Sequence, residues 1–206
     1  MDIGILGAGN VGGTLGRSWA RRGHRVVFGV RSVEGADQTL LEVAGASFAS
    51  QDEAAVFGEV VALTVPWDAV ETVLDGLGSQ LENKILLDCT NPNFTADPTQ
   101  HHPLSGGQRV AGWAPGARVV KIFNTTGWEN MADPVYGATR ATMFFAGDDP
   151  DAKNVAAGLA AEAGFDPVDV GLLSNADLLE SLARLWGKLA YGQHMGRDIA
   201  FHLLRR

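Results

Sequence analysis

The chain has 206 residues and a formal net charge of −8, with 46% hydrophobic and 19% charged residues. These values are typical of a globular domain with a substantial buried core, and they exclude disordered and fibrous classes of protein. No stretch gathers the lysine and arginine of a nucleic-acid-binding surface. No apolar run approaches the roughly 20 residues that cross a bilayer, and the N-terminus does not resemble a signal peptide. The single cysteine, Cys89, cannot form an internal disulfide, so we expect a cytoplasmic protein. The charge distribution and the short apolar runs predict no nucleic-acid or membrane partner.

Short apolar segments rich in valine and isoleucine recur along the chain and alternate with helix-like segments. The pattern predicts a first helix at residues 11–22 and strands at residues 3–6, 25–29, 47–49, 60–65, 84–89, 119–123, 142–146 and 166–170. Strands that alternate with helices form mostly parallel sheets that are covered on both faces. We therefore predict an α/β fold of the Rossmann type, with a doubly wound and mostly parallel sheet, for residues 1–171.

The hydrophobic pattern changes after Gly171. Apolar residues then recur at helical spacing, which predicts one or two short C-terminal helices, capped by Ser174, and not a second full domain. We treat residues 172–206 as an extension of the same structural unit on the side of the second substrate. Its apolar side chains exceed what packing on one sheet needs and predict a homodimer; they are Leu178, Leu182, Leu185, Leu189, Ile199 and Leu203.

The segment Gly7-Ala8-Gly9-Asn10-Val11-Gly12 matches the pattern G-x-G-x-x-G between a predicted strand and a predicted helix. In that context the first glycine permits a tight turn, the second lets backbone approach a pyrophosphate, and the third lets the helix pack on the strand. The free N–H groups at the start of the helix then bind phosphate. The motif predicts an NAD(P) site.

The second predicted strand ends in Phe28-Gly29-Val30-Arg31-Ser32. Enzymes that prefer NAD usually carry Asp or Glu near this position, where it binds the ribose 2′-hydroxyl. Arg31 and Ser32 offer instead a guanidinium and a hydroxyl that can bind a 2′-phosphate. We therefore predict NADP(H) as the cofactor, with the nearby Glu34 acting against this preference.

Three further predicted strands stop abruptly at small polar residues, in Thr64-Val65-Pro66-Trp67, Thr90-Asn91-Pro92 and Phe123-Asn124-Thr125-Thr126-Gly127. Ligands of open α/β sheets bind outside the carboxyl ends of the strands. These residues are therefore candidates for binding the ribose hydroxyls and the nicotinamide, although each segment can equally form a simple turn.

Several segments together resemble the NADP oxidoreductases that depend on coenzyme F420, in the form found in bacteria. They are Ile3–Gly12, Phe28–Ser32, Ala62–Trp67, Gly147–Asp149, Gly171–Asn175 and Leu179–Leu182. The glycine motif is shared by many dehydrogenases, whereas Thr-Val-Pro-Trp combined with Leu-Ser-Asn and Glu-Ser-Leu is more specific. Members of this family move a hydride between NADP and a deazaflavin, and the resemblance also implies a dimer.

The resemblance implies a role for each matching segment. The glycine turn would hold the pyrophosphate, Arg31 and Ser32 the 2′-phosphate, and the backbone near Thr126 and Trp128 the nicotinamide. The complete predicted cofactor site is Gly7, Ala8, Gly9, Asn10, Val11, Gly12, Arg31, Ser32, Thr64, Val65, Pro66, Trp67, Asn91, Asn124 and Thr126. Two features depart from the archaeal members: no lysine follows the arginine at residues 35–37, and residues 124–131 differ.

Hydride transfer between nicotinamide and deazaflavin needs no acid or base at the reacting carbon, so neither a catalytic residue nor a metal is predicted. Two alternatives remain open: an NADPH-dependent reductase of a flavin such as FMN or of a ferric chelate, and a non-enzymatic NADPH-binding redox sensor. Hydroxyacid, imine and pyrroline-carboxylate reductases share the glycine motif but carry a longer helical domain. We interpret His101 and His102 as exposed residues of a long loop at 92–107, and Cys89 as a buried residue and not a nucleophile.

Overall fold

The computed structural model describes residues 1–93 and 102–206, so part of the predicted loop at 92–107, including His101, lies outside the described residues. The described strands are β1 (Asp2–Leu6), β2 (Arg25–Gly29), β3 (Ala46–Ala49), β4 (Val60–Leu63), β5 (Ile85–Asp88), β6 (Arg118–Lys121), β7 (Val135–Tyr136), β8 (Thr139–Arg140), β9 (Thr142–Gly147) and β10 (Asp166–Asp169). Each of the eight predicted strands therefore has a counterpart, with ends that shift by one or two residues.

Three of the described α-helices begin at side chains that cap their first N–H groups, namely Ser50, Ser105 and Asp149. The described α-helices are α1 (Asn10–Ala20), α2 (Gln51–Phe57), α3 (Trp67–Leu77), α4 (Gly106–Trp113), α5 (Trp128–Ala132), α6 (Pro150–Glu162) and α7 (Ala176–Gly187), which runs into a π-helix at Lys188–Gly192. None of the helices in the described ranges is long and apolar enough to span a membrane. The cytoplasmic location stays a prediction.

Eight strands form one sheet in the order β10-β9-β6-β5-β4-β1-β2-β3. The order 3-2-1-4-5-6 of the first six strands, all parallel, is that of the Rossmann fold. The order reverses between β1 and β4, which is where such sheets bind ligands. The Rossmann-type α/β fold that the sequence predicts is confirmed; the division at Gly171 is not tested and stays a prediction.

Helices cover both faces of the sheet and create two buried cores. On one face Leu15 and Trp19 of α1 pack with Leu159 of α6, and the Trp19 indole donates to the Leu159 carbonyl at 3.1 Å. On the other face Val70 and Leu74 of α3 pack with α4 and with the start of α7. The two-sided burial explains why β4, near the centre of the sheet, is apolar at every position.

The C-terminal segment differs from its prediction. A 3-10 helix at Leu173–Asn175, α7 and the π-helix that continues it are its helical parts, and residues 193–206 form a tail without regular secondary structure. One of the one or two predicted helices is therefore present, and helical structure around Ile199 and Leu203 is wrong. The tail packs beside the start of β9, where Thr142 donates its N–H to Phe201 at 2.8 Å. It occupies the side of β9 that β6 leaves free, because β6 and β9 are antiparallel and overlap only near Lys121. Ser174 lies in a 3-10 turn and does not cap α7, whose N-cap is Asn175.

Candidate functional site

A cleft of about 1250 Å³ runs across the carboxyl ends of the parallel strands at the point where the strand order reverses. Among the predicted cofactor residues, those that line this cleft are Gly7, Ala8, Gly9, Asn10, Val11, Arg31, Ser32, Thr64, Val65, Pro66, Trp67 and Asn91. Gly12, Asn124 and Thr126 do not line it. Most of the predicted set is thus brought together at one edge of the sheet.

The glycine turn is fixed by the two strands that flank β1. Gly7 has a φ of +106°, which glycine adopts without steric cost, and its N–H donates to Gly29 at the end of β2 at 3.0 Å. On the other side the Thr64 hydroxyl, which follows β4, lies 3.0 Å from the Leu6 carbonyl and 2.9 Å from that of Gly7. The turn is therefore held at a defined height above the sheet.

Gly12 and Gly9 make opposite contributions to the glycine motif. A Cβ on Gly12 would lie 2.1 Å from the Gly7 carbonyl oxygen and 2.5 Å from the Thr64 hydroxyl, so Gly12 is a packing residue beneath the cleft. A Cβ on Gly9 would meet nothing within 4 Å, because Gly9 faces the open cleft. Gly12 therefore permits the close approach of α1, whereas Gly9 leaves space for a ligand against the N-terminus of that helix.

The far end of the cleft is formed by the loop after β2. Arg31 and Ser32 line it and are exposed, as are the neighbouring residues Gly35 and Asp37. A guanidinium and a hydroxyl on an open rim can bind a phosphate without the cost of burying a charge. The Asp37 carboxylate on the same rim was not among the predicted site residues.

Asn124 and Thr126 line a second pocket of about 490 Å³ that adjoins the cleft. Asn91 and Asn124 pair across the junction: the Asn91 amide donates to the Asn124 carbonyl at 2.9 Å, and the Asn124 amide donates to Asn91 Oδ1 at 3.0 Å. Asn124 Oδ1 is buried and has no hydrogen-bond partner among the described residues. Phe123, directly before it, has a φ of +59°, a costly backbone conformation for a non-glycine residue.

An unpaired buried acceptor is unfavourable in isolation and fits a ligand that brings a donor. The carboxamide of a nicotinamide is such a donor, and the backbone N–H groups of the glycine turn suit its pyrophosphate. The residues at this edge of the sheet therefore fit NADP(H) along its whole length.

Aromatic side chains form much of the wall of the second pocket. Trp128 stands at its junction with the cleft, and Trp186 and Tyr191 form a further wall, with ring centroids 6.0 Å apart and planes at 89°. The Arg197 guanidinium lies 5.7 Å from the Trp186 ring centroid and 5.5 Å from that of Tyr191. It also binds both oxygens of Glu129 at 2.5 and 2.7 Å. Burial is the largest single influence on Glu129 and raises its pKa, but the hydrogen bonds and positive charge of Arg197, together with a backbone hydrogen bond, leave that pKa lowered.

Asn130 ties the C-terminal tail to this pocket. Its amide nitrogen lies 3.0 Å from the Arg197 carbonyl, 2.9 Å from the Ile199 carbonyl and 2.8 Å from the Thr126 hydroxyl. The Trp186 indole donates to the same Ile199 carbonyl at 2.6 Å. The tail, the aromatic wall and the predicted nicotinamide contact Thr126 therefore share one hydrogen-bonded group.

A buried ion group lies beneath the ends of β5 and β6. The Lys121 ammonium is fully buried and contacts Asp88 at 2.9 Å, the Thr90 carbonyl at 2.6 Å and Glu180 at 3.3 Å. Glu180 also accepts the N–H groups of Gly106 and Gly107 at the start of α4, both at 3.0 Å. Glu180 of the Glu-Ser-Leu segment is thus a structural carboxylate that joins α7 to the sheet.

Cys89, His102 and His194 are not part of either cavity's proposed chemistry, and their environments are as follows. Cys89 is buried, and burial raises the pKa of its thiol, so it stays protonated and unreactive. His102 is exposed and contacts the backbone of Leu104. His194 is exposed at the end of the π-helix.

Sequence reasoning missed residues that reach the two cavities from regular elements. Ala69 and Val73 line the cleft from one face of α3, and Gln51 reaches it from the start of α2. The four-residue spacing of Ala69 and Val73 is the available signal in the sequence, but the same spacing is typical of ordinary core packing. Lys188, Tyr191 and Arg197 line the second pocket because the π-helix and the tail turn back toward α5, which no local pattern announces.

The strand order, the glycine turn and the cleft at the switch point define a dinucleotide-dependent oxidoreductase fold. A family model described as NADP oxidoreductase coenzyme F420-dependent matches residues 2–92. The F420-dependent NADP reductase of Methanothermobacter thermautotrophicus is 30% identical over 203 residues, which cover 90% of this chain and 87% of the relative. The chain belongs to this family of F420-dependent NADP oxidoreductases and is an NADP(H)-binding oxidoreductase, as the sequence predicts.

Two further comparisons concern relatives that differ in the acceptor named for them. A crystal structure from Arthrobacter sp. FB24, provisionally assigned as an F420-dependent NADP reductase, superposes with a TM-score of 0.88 at 29% identity, and both chains are fully covered. The Metalloreductase STEAP3 of Rattus norvegicus is 31% identical over 181 residues, 87% of this chain. This chain spans only 36% of that relative's length.

Substitution of the two glycines separates folding from cofactor binding. We expect Gly12→Ala to lower the free energy of unfolding by about 2 kcal/mol or more, because its Cβ meets backbone on an adjacent element. Gly9→Ala should leave stability within about 0.5 kcal/mol of the original protein and weaken NADPH binding at least about tenfold, which is about 1.4 kcal/mol. Urea unfolding and fluorescence titration with NADPH measure the two effects. Equal affinity in Gly9→Ala would show that ligand does not approach this turn.

Removal of Lys121 tests the buried ion group. Lys121→Met leaves Asp88 and Glu180 buried without their cation, so we expect the free energy of unfolding to fall by about 3–5 kcal/mol. The matched control is Lys188→Met, an exposed lysine, which should change it by less than about 0.5 kcal/mol. Denaturant unfolding monitored by circular dichroism distinguishes the two, and similar values for both variants would contradict a structural role.

Proposed function

We propose that the protein transfers a hydride between NADP(H) and a deazaflavin of the coenzyme F420 type. The observation that carries the proposal is the junction of two cavities: the cleft at the switch point and the aromatic pocket share Val11, Asn91 and Trp128. A two-substrate hydride transfer needs two ring systems in van der Waals contact, with about 3–3.5 Å between the reacting carbons. A cleft for one ring that opens directly into a pocket for another supplies that arrangement.

The second pocket has the chemistry to accept a flat, anionic heterocycle. Trp128, Trp186 and Tyr191 offer aromatic surfaces. Lys188 and Arg184 add positive charge to the same lining, whereas the charge of Arg197 is balanced by Glu129. Aromatic walls bind planar rings and exclude water from the reacting face, and nearby cations compensate negative groups on the ligand. In a protein of net charge −8 this local concentration of cations favours an anionic acceptor.

The residues at the junction also fit a reaction without acid or base catalysis. None of Val11, Asn91 and Trp128 carries a group that titrates near neutral pH. The nicotinamide supplies the hydride, and the protein's task is to bind, orient and exclude water. The glycine turn and Arg31 would hold the phosphates, Asn124 Oδ1 would orient the carboxamide, and Asn130 would hold Thr126 in place.

Reduction of a ferric chelate or a flavin is the second candidate. The similarity to a metalloreductase over most of this chain favours it, since the shared part is the portion that binds the dinucleotide. The same aromatic pocket could receive a flavin, which would take the two-electron hydride from NADPH and could pass single electrons on to two ferric ions; the hydride step requires ring contact and no further side chain.

The decisive assay measures NADPH oxidation with a deazaflavin, FMN or ferric citrate as acceptor. We expect rapid oxidation with the deazaflavin and slow oxidation with the other two. Arg31→Ala should raise KM for NADPH by roughly 10- to 100-fold, because a charge-assisted hydrogen bond to the 2′-phosphate is lost, and should leave KM for NADH unchanged. Arg22→Ala, an exposed arginine at the far end of α1, is the matched control.

Rapid turnover with ferric citrate or FMN and none with the deazaflavin would reject the first proposal in favour of the second. NADPH binding without oxidation by any of these acceptors would reject both, and would return the protein to the sensor interpretation. An equal effect of the two arginine substitutions would remove Arg31 from the cofactor site.

We also infer a homodimer formed through α7. The buried face of this helix packs on the protein through Leu179 and Trp186, whereas Leu178 and Leu185 remain 59% and 48% exposed on its outer face. Exposed leucines two helical turns apart form a continuous apolar stripe, which is typical of a face that packs on another protein. A second copy of the same helix would cover it symmetrically.

Light scattering tests the dimer. We expect a mass of about twice the chain mass of 21.8 kDa at micromolar concentration. The double variant Leu178→Glu, Leu185→Glu should be monomeric, because charge on an apolar contact is costly to bury. Val56→Glu, 62% exposed on α2, is the matched control and should remain dimeric. A monomeric original protein would contradict the inference.

A further inference from the structure

The loop after β2 carries two carboxylates, and only one of them reaches the cofactor cleft. Asp37 lines the cleft together with Arg31, Ser32 and Ala36, whereas Glu34, which was expected to act against NADP(H), does not line it. The rim that is expected to bind a phosphate thus contains one cation and one anion. The Asp37 carboxylate therefore opposes the binding of a phosphate at this rim.

Asp37 is held in place by its surroundings. Its Oδ1 accepts the Thr39 N–H at 3.0 Å and the Thr39 hydroxyl at 2.8 Å, which caps a 3-10 helix at Gln38–Glu42. Within that helix Leu40 is 2% exposed and packs on Gly13 of α1, where a Cβ would lie 3.1 Å from its Cδ2. The carboxylate is therefore positioned relative to the helix that begins at the glycine turn.

The turn that precedes Asp37 is also fixed. The Gln38 amide donates to the carbonyls of Val33 at 3.0 Å and Ala36 at 3.2 Å. The hydrogen bonds from Thr39 lower the pKa of Asp37, so it is ionised at neutral pH. With Oδ1 occupied by Thr39, Oδ2 has no hydrogen-bond partner among the described residues, and Asp37 lines the cleft.

We propose that Asp37 reduces the discrimination between NADP(H) and NAD(H): its carboxylate opposes the 2′-phosphate held by Arg31 and Ser32, and accepts the ribose 2′-hydroxyl of NAD(H). Dehydrogenases that prefer NAD place an acidic residue at the end of the second strand for this purpose. Here that position holds Arg31, and the carboxylate comes from six residues further on. The inference rests on the placement of the 2′-phosphate at Arg31 and Ser32 proposed above.

The expected size of the effect follows from Coulomb's law in water. A single negative charge about 7 Å from a doubly charged phosphate weakens its binding roughly eightfold without salt and roughly two- to threefold at physiological ionic strength. Asp37 is exposed, so the value for water applies. The effect should shrink as salt is added, which a purely steric role of the loop would not produce.

Binding titrations test the proposal without any acceptor, so the outcome does not depend on the proposed reaction. Asp37→Asn keeps an oxygen that can accept from Thr39 and removes only the charge. We expect it to tighten NADP⁺ binding about twofold at physiological ionic strength and about eightfold at low salt. It should weaken NAD⁺ binding, because a neutral amide is a poorer acceptor for the 2′-hydroxyl than a carboxylate. Glu34→Gln, the same charge change three residues away and outside the cleft, is the matched control and should alter the NADP⁺/NAD⁺ ratio by less than half as much.

Three results would overturn the proposal: an unchanged ratio in Asp37→Asn with an unchanged melting temperature, an equal shift in Glu34→Gln, or a shift that does not depend on salt. Arg31→Ala identifies the cause of a failure. If that variant binds NADP⁺ as tightly as the original protein, the 2′-phosphate does not lie at this rim and the placement itself is wrong. If it binds NADP⁺ more weakly while Asp37→Asn has no effect, only the role of Asp37 is rejected.

Discussion

The close approach of α1 to the first strand is the constraint on which the rest of the site depends. Gly12 lies so near the Gly7 carbonyl and the Thr64 hydroxyl that no side chain fits between them. This contact brings the N-terminus of α1 to the carboxyl edge of the sheet, where its free N–H groups face the cleft. The Thr64 hydroxyl joins the end of β4 to the same turn, so the two strands that flank the switch point are fixed together.

The second cavity depends on a different device, because its wall comes from parts of the chain that are distant in sequence. Glu180 joins α7 to α4 and to the buried Lys121, and Asn130 joins α5 to the C-terminal tail. Arg197 then closes the group through Glu129. These polar and charged side chains all have hydrogen-bond or ion-pair partners. Buried polar groups favour one arrangement of the chain over others when their partners are present in that arrangement.

Much of the fold and of the cleft could be predicted, because the signals are local. Strand periodicity gave all eight strands of the main sheet, and the glycine motif and Arg31 follow from spacing along adjacent residues. The antiparallel pairing of β6 and β9 could not be predicted, because periodicity does not report strand direction. The irregular tail could not be predicted either, because the spacing of apolar residues around Ile199 is compatible with a helix. Asn124 lines the second pocket and not the cleft, three residues after the end of β6, because tertiary packing and not a local pattern decides which cavity a loop side chain lines.

The two cavities also differ in where their determinants lie along the chain. The family match covers residues 2–92, which include the glycine turn, Arg31 and almost the entire lining of the cleft. Trp186, Tyr191 and Arg197 of the second pocket lie beyond it. Dinucleotide binding relies largely on backbone geometry, which many sequences can satisfy, whereas an acceptor is recognised by side chains that can change without disturbing that backbone. If the proposed assignments hold, the choice of acceptor depends on α5, α7 and the tail, and the choice between NADP(H) and NAD(H) depends on the charged rim after β2.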